Sequence, residues 1–150
     1  MKRSVVSIIC LVLAGCASPP PPPPVLTLNI IGGTGQNPDA SGQGTSVAVR
    51  VYQLSATGRF ESTDIYTLAS THGDAVLGTE ELGSPAQYIV SPDQHLTEKI
   101  SLNPGTTSVG VVVLFRDASH SVWKLVTAVA AHGQTLRTLH INGLTAAFST

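Results

Sequence analysis

Val109-Gly110-Val111-Val112-Val113-Leu114-Phe115 is the stretch that decides the fold: seven residues with neither a charge nor a hydroxyl. The run is short, rich in β-branched residues and preceded by the turn signal Asn103-Pro104-Gly105. A run of this length without alternation reads as a strand buried on both faces, in the middle of a sheet that is covered on each side. Every other strand in the chain has to be fitted around it.

Working outward, the flanking segments show the period of two that belongs to half-buried strands. Leu26, Leu28 and Ile30 alternate with Thr27 and Asn29. Val47, Val49 and Val51 alternate with Ala48, Arg50 and Tyr52, as far as Leu54. In His95–Leu102, Leu96, Ile100 and Leu102 oppose Thr97, Lys99 and Ser101. Val122–Ala130 follows, carrying the only tryptophan, Trp123. Leu136–Ile141 and Leu144–Phe148 flank Asn142-Gly143, a hairpin signal because a type I′ turn needs positive φ twice. Ser91-Pro92-Asp93 and Asn103-Pro104-Gly105 supply turn chemistry between runs. Phe60–Ala69 departs from the pattern, with Ser62 as N-cap, Asp64 in the first turn and Phe60, Tyr66 and Leu68 near helical spacing. About seven antiparallel strands with short turns predict an all-β, two-sheet sandwich carrying a small helical insert.

The first sixteen residues are an address. Lys2 and Arg3 form a positive start and Val5–Ala14 an apolar stretch of about ten residues, too short for the ~20 a bilayer span needs. The segment ends Leu13-Ala14-Gly15-Cys16, which resembles the lipobox of bacterial lipoproteins. That resemblance implies a signal peptide over 1–15, cleavage before Cys16, and acylation of its thiol and new amino terminus; Ala17 behind it implies transport to the outer membrane. Several acyl chains anchor firmly, at about 0.8 kcal/mol per buried methylene. Pro19–Pro24 is six prolines in a row. It reads as a polyproline II spacer of roughly 19 Å, so that 16–24 is tether and 25–150 the sandwich domain.

Composition narrows the function. Of the 150 residues 11% are charged, and eight Lys and Arg against nine Asp and Glu give a net charge of −1. Loss of Lys2 and Arg3 with the leader makes the mature chain −3, which argues against nucleic acid as a partner. The two cysteines are Cys10, inside the leader, and Cys16, used for the lipid. The mature domain is thus left with no disulfide, no cysteine–zinc site and no thiolate nucleophile. Five histidines form no HExxH pattern. Asp93/His95 and Asp117/His120 read either as fragments of a metal site or as solvated turns, and the solvated turn is the better account. No serine lies in a GxSxG elbow, and Gly32-Gly33-Thr34-Gly35 lacks the GK[ST] of a phosphate loop. Paired carboxylates for glycoside hydrolysis are spatial and stay open, with Glu80-Glu81 reading as a solvated edge. The balance favours a tethered, non-catalytic sandwich needing neither cofactor nor metal.

Three clusters of residues carry a further message. Asn37-Pro38-Asp39 and Gly42 precede Val47-Ala48-Val49-Arg50-Val51-Tyr52-Gln53-Leu54. Phe60, Asp64-Ile65-Tyr66, Leu68 and Leu77-Gly78 follow. Gly110–Leu114 leads into Phe115-Arg116-Asp117, with Trp123-Lys124 behind it. In this order, behind a lipobox, they resemble the TssJ family, the outer-membrane lipoproteins of bacterial type VI secretion systems. The similarity runs from about Asn37 to Trp123. Departures are Ser46, where such chains often carry proline, and Thr63-Asp64-Ile65-Tyr66, where they often read Ala-Asp-Phe-Phe. The resemblance implies a transthyretin-like sandwich at the periplasmic face of the outer membrane that binds the periplasmic domain of TssM and, with TssL, anchors the secretion tail. A lipoprotein that pilots another envelope assembly is one alternative. A periplasmic ligand-binding sandwich is the other, thinly supported by three Phe, three Tyr and one Trp.

Arg50, Arg116 and Asp117, at strands or strand ends, read first as local ion pairs, and Trp123 as core. The partner site is expected in the connection Gly32–Thr45, which has five glycines and no aliphatic residue larger than Ala40. As a hairpin connection it is far longer than the two to five residues closure requires, and such loops usually carry function. Asn37-Pro38-Asp39 predicts a turn with Pro38 second. The corresponding loop of TssJ-like chains is the one that resembles the TssM contact. Gln36, Asn37, Pro38, Asp39, Ala40, Ser41, Gly42 and Gln43 are therefore the candidate contact residues, with a membrane lipid held through Cys16 and no small-molecule substrate.

Overall fold

The computed structural model describes residues 18–149. The leader 1–15, the lipidation site Cys16 and Ala17 lie outside the described residues. Eight strands form two four-stranded sheets. They are β1 (Val25–Gly32), β2 (Val47–Leu54), β3 (Ala86–Val90), β4 (His95–Ser101), β5 (Ser108–Leu114), β6 (Lys124–Ala128), β7 (Gln134–Asn142) and β8 (Thr145–Ser149). One sheet runs β4-β1-β7-β8 and the other β3-β2-β5-β6. The inward residues of both, among them Leu26, Leu28, Ile30, Val47, Val49, Val51, Leu139 and Ile141, interlock as one core. This is a sandwich.

The all-apolar run occupies the place its composition demands. β5 lies between β2 and β6. Val109, Val111 and Val113 enter the inter-sheet core, while Val112 and Leu114 face the other way into a second apolar cluster. That cluster is roofed by three five-residue helices between β2 and β3: α1 (Gly58–Ser62), α2 (Ile65–Ala69) and α3 (Gly73–Leu77). Phe60, Leu68 and Leu77 seal it, each fully buried. Phe60 stacks at a tilt on Tyr52 with centroids 5.4 Å apart. Gly110 sits directly beneath the Phe60 ring, where a Cβ would come within 2.5 Å of it.

Helices this short are marginal alone and depend on tertiary support. Two cations on the outer face of the sheet provide it. The Lys124 ammonium donates to the carbonyls of Phe60 (3.1 Å), Glu61 (2.7 Å) and Thr63 (2.7 Å), using all three donors at the end of α1. It also lies 4.8 Å from the Trp123 ring centroid. Burial holds its pKa below the usual lysine value, with Glu61 and Asp64 opposing. Arg50 donates from Nη1 to the Leu68 carbonyl (2.8 Å), which also accepts from the Tyr52 hydroxyl (3.1 Å). Arg50 is therefore a staple for α2 and not the ion pair expected of it.

Several expectations change. Ala86–Val90 is a strand that the alternation reading passed over; it is only five residues long and lies at the sheet edge. β1 pairs parallel with β7, so the sheets are not wholly antiparallel. The Gly32–Thr45 connection is no hairpin: it leaves one sheet and enters the other. In the β7–β8 hairpin Asn142 pairs with Thr145, so the loop is Gly143-Leu144. Only Gly143 has positive φ (55°), the pattern of a II′ and not a I′ turn. Ser62 ends α1, its hydroxyl bonding the Arg59 carbonyl, and Asp64 caps α2 through Thr67 N (3.0 Å). Because the helix restarts at Asp64, Tyr66 points outward, 75% exposed.

Half of the proline run belongs to the domain. The Pro22 carbonyl accepts from Gly133 N (3.2 Å) and the Pro24 carbonyl from Leu102 N (3.0 Å). Proline loses its donor but keeps its acceptor, so the segment can serve neighbouring chains in this way. The freely extending part shortens to Pro19–Pro21, about 9 Å.

At the end of the insert, Glu81 bridges to Leu54 and leaves Oε1 buried with no hydrogen-bond partner among the described residues. Burial first, and then the negative charge of Asp74, push its carboxyl from 4.5 up to about 7.

Two predictions follow from the roofed strand and its insert. Gly110→Ala should lower stability by about 1–3 kcal/mol in urea unfolding, as overpacking against a stacked ring; an unchanged midpoint would mean that Phe60 yields freely. An acid whose pKa is higher folded than unfolded binds more protons in the native state between the two values. The Glu81 contribution is thus complete below about pH 4.5 and lost as the pH rises through about 7. Unfolding followed at pH 5 and pH 8 should show the wild type weaker at pH 8, with the difference reduced in Glu81→Gln. Identical differences in both proteins would remove Glu81 from the account.

Candidate functional site

β1 starts at the docked prolines and ends eight residues later at Gly32, about 26 Å away at ~3.3 Å per residue. Four connections meet at that far end: Gly32–Ser46, the Ser91–Gln94 turn, the chain from Phe115 to Trp123, and Gly143-Leu144. Asn37 ties three of them together, the Ser91–Gln94 turn apart. Its Nδ2 donates to the Ser46 carbonyl (2.9 Å) and Thr45 Oγ1 (3.1 Å), and its Oδ1 accepts from Arg116 N (2.8 Å). Its backbone N donates to the Gly143 carbonyl (2.8 Å). The residue is 3% exposed and has φ 45°, a left-handed conformation that asparagine tolerates better than most.

Gln36 does similar work one residue earlier. Fully buried, it donates from Nε2 to the Val90 carbonyl at the end of β3 (2.7 Å) and to the Thr45 carbonyl (3.3 Å). Thr45 N returns to the Gln36 carbonyl at 2.9 Å. The two arms of the loop come so close that a Cβ on Gly44 would stand 2.0 Å from the Thr34 carbonyl oxygen. The glycines here permit close backbone approach and do not leave the loop slack.

The tip is a small self-bonded turn. Gly42 N donates to the Asp39 carbonyl and Asp39 N to the Gln43 carbonyl, both at 2.9 Å. The turn therefore runs from Asp39 to Gly42, and Pro38 precedes it where it was expected to be second. Asp39 Oδ1 accepts from Ser41 Oγ (2.6 Å), Ser41 N (2.8 Å) and Gln43 N (3.1 Å). The Ser41 hydroxyl first, then the backbone amides of Gln43 and Ser41, hold this carboxyl below the usual range, with a smaller share from Arg116.

Of the eight candidate residues, Gln36 and Asn37 are buried supports, Pro38 and Asp39 are half-buried, and Ala40, Ser41, Gly42 and Gln43 are exposed at the tip. Removing the whole segment would cut the ties to β3, Ser46 and Arg116 along with the tip. Arg116 belongs to this end through its backbone, a role hidden by reading its charge alone. Asp117 pairs instead with His120 (2.9 Å), both exposed. Among the described residues no group of three His, Cys, Asp or Glu could hold a metal ion.

Residues 24–144 match the family model described as type VI secretion lipoprotein (VasD, EvfM, TssJ; T6SS-SciN). A search of the curated proteins finds no match. Among solved structures, the type VI lipoprotein TssJ1 from Pseudomonas aeruginosa is similar at a TM-score of 0.80 and 20% identity, over 85% of this chain and 96% of that one. Lip from Serratia marcescens, a membrane-bound component of the type VI secretion system, gives 0.76 and 15%, over 85% and 97%. A chain in the structure of the TssM C-terminal domain (869–1107) from EAEC gives 0.68 and 22%, over 85% and 98%. At these identities the structures report a shared fold.

Asn37→Ala should destabilise the domain by about 1–3 kcal/mol, since it strips the half-buried Arg116 amide and Ser46 carbonyl of their shared partner. Urea unfolding measures this; a change below about 0.5 kcal/mol, the size expected of an ordinary surface site, would end the hub assignment.

Proposed function

The chain belongs to the type VI secretion lipoprotein family, and from that premise we propose that it is the outer-membrane-anchored subunit that joins the secretion apparatus to the envelope by binding the periplasmic domain of TssM. Cys16, acylated after removal of residues 1–15, is the anchor on the periplasmic face. The exposed tip Ala40–Gln43 makes the contact, positioned by Gln36, Asn37 and Asp39. The observation that carries this reading is polarity along the sandwich: the prolines leading back to Cys16 lie at one end, and the braced loop lies at the other. A protein whose task is to hold a partner at a distance from a membrane needs its anchor and its contact so separated. The similarity to a chain in the TssM C-terminal domain structure supports the choice of partner. The role is one of binding, without catalysis.

Braced and preformed, the tip loses little conformational entropy on binding, which favours affinity. The double variant Ala40→Arg/Gln43→Arg should keep the wild-type unfolding temperature, since both side chains are exposed and neither makes a hydrogen bond in the loop. Its affinity for the purified TssM periplasmic domain, by titration calorimetry, should fall at least about tenfold, or roughly 1.4 kcal/mol. Wild-type affinity in the double variant would move the contact off the tip.

A further inference from the structure

The insert roofs only part of the outer face of its sheet. Ala48 points outward between Val47 and Val49, and its neighbours across the sheet are Ile89 on β3 and Leu114 on β5. Ile89 is 58% exposed. Beside Leu114, Ile65, Tyr66 and Ala69 of α2 and Arg116 and Ala118 of the β5–β6 connection enclose a cleft of about 180 Å³. That is below the ~300 Å³ at which small-molecule sites begin, and it is the size of a socket for one large side chain. Its walls are apolar except for Arg116 and the Tyr66 hydroxyl, and no acid lines it. The Arg116 side chain makes no ion pair or hydrogen bond among the described residues. Its backbone N is held by Asn37 Oδ1, so one wall of the cleft is pinned to the hub of the loop end.

We propose that this cleft is a second contact for the partner assigned to the loop tip, taking one large apolar side chain of that protein with an acidic residue beside it for Arg116. The inference rests on the partner reading above and extends it from a loop contact to a two-part surface. Three observations support it. The lining carries one cation, Arg116, whose side chain is exposed and makes no direct ion pair among the described residues, so an acidic group can reach it. The size admits a single anchor. The cleft and the tip are braced from the same residue, since Asn37, two positions before the tip turn, accepts from Arg116 N. Tyr and Arg are also the residue types that dominate binding energy when they flank a socket. Tyr66, standing 75% clear of the surface on a helix capped by Asp64, has no role in the core.

Titration calorimetry of the full mature chain against the purified TssM periplasmic domain tests this. Tyr66→Ala and Arg116→Met should each weaken binding at least tenfold with the unfolding temperature unchanged. Arg116→Met should also flatten the salt dependence, and Arg116→Lys should restore part of it. If the wild type binds and the tip variant fails while both cleft variants bind normally, the cleft is not a contact and the tip reading stands. If the wild type itself does not bind, the partner reading falls and the cleft proposal with it. Concentration-dependent dimerisation that Tyr66→Ala abolishes would assign the cleft to a second copy of this chain and overturn the proposal.

Discussion

The constraint on which the rest of this structure depends is that β5 is apolar on both faces. A sandwich covers one face of each sheet by packing it against the other. The outer face of β5 would otherwise expose Val112 and Leu114 around Gly110, where there is no side chain at all. The connection between β2 and β3 answers this by folding into three short helices over that face, with Phe60 closing onto Gly110. The helices are held by what the sheet offers them, Lys124 and Arg50 at their final carbonyls, and Tyr52 from below.

Once the outer face is roofed there, the long axis of the sandwich is free for other uses. At one end the proline run lends its carbonyls to Gly133 and Leu102, which turns part of a spacer into a collar. At the other end a connection that must cross from one sheet to the other is braced by Gln36 and Asn37, both buried. Bracing matters because an unbraced loop with five glycines would lose entropy on meeting a partner. The two ends of the sandwich are thereby built from different chemistry. Prolines fix direction in one, and side-chain amides fix shape in the other.

Much of this was legible in the residues. The alternation in Val47–Leu54 and His95–Leu102 marks strands because the pleat has a period of two, and the structure has strands there. The two-sheet architecture and the insert follow from the same reading. Three things were not legible. β3 is too short for alternation to stand out. Sheet membership is a long-range choice, so a connection between sheets looks the same as a hairpin in sequence. The roles of Gln36, Asn37, Arg50 and Lys124 depend on backbone carbonyls that come near only after folding, and a charge or amide read alone suggests an ion pair or a surface contact instead.

The sequence by itself determined the class of the fold, the central position of β5 and the candidate anchor at Cys16, because these rest on local properties: periodicity, burial of an uncharged run, and the order of residues around one cysteine. It also determined which connection deserved attention, through its length, its glycines and a family resemblance. Only the tertiary structure decided which part of that connection is support and which is surface. The physical reason is that an amide side chain bonds whichever backbone group folding brings to it. Gln36 donates to the Val90 carbonyl, 54 residues along the chain, and Asn37 accepts from the Arg116 amide, 79 residues along it.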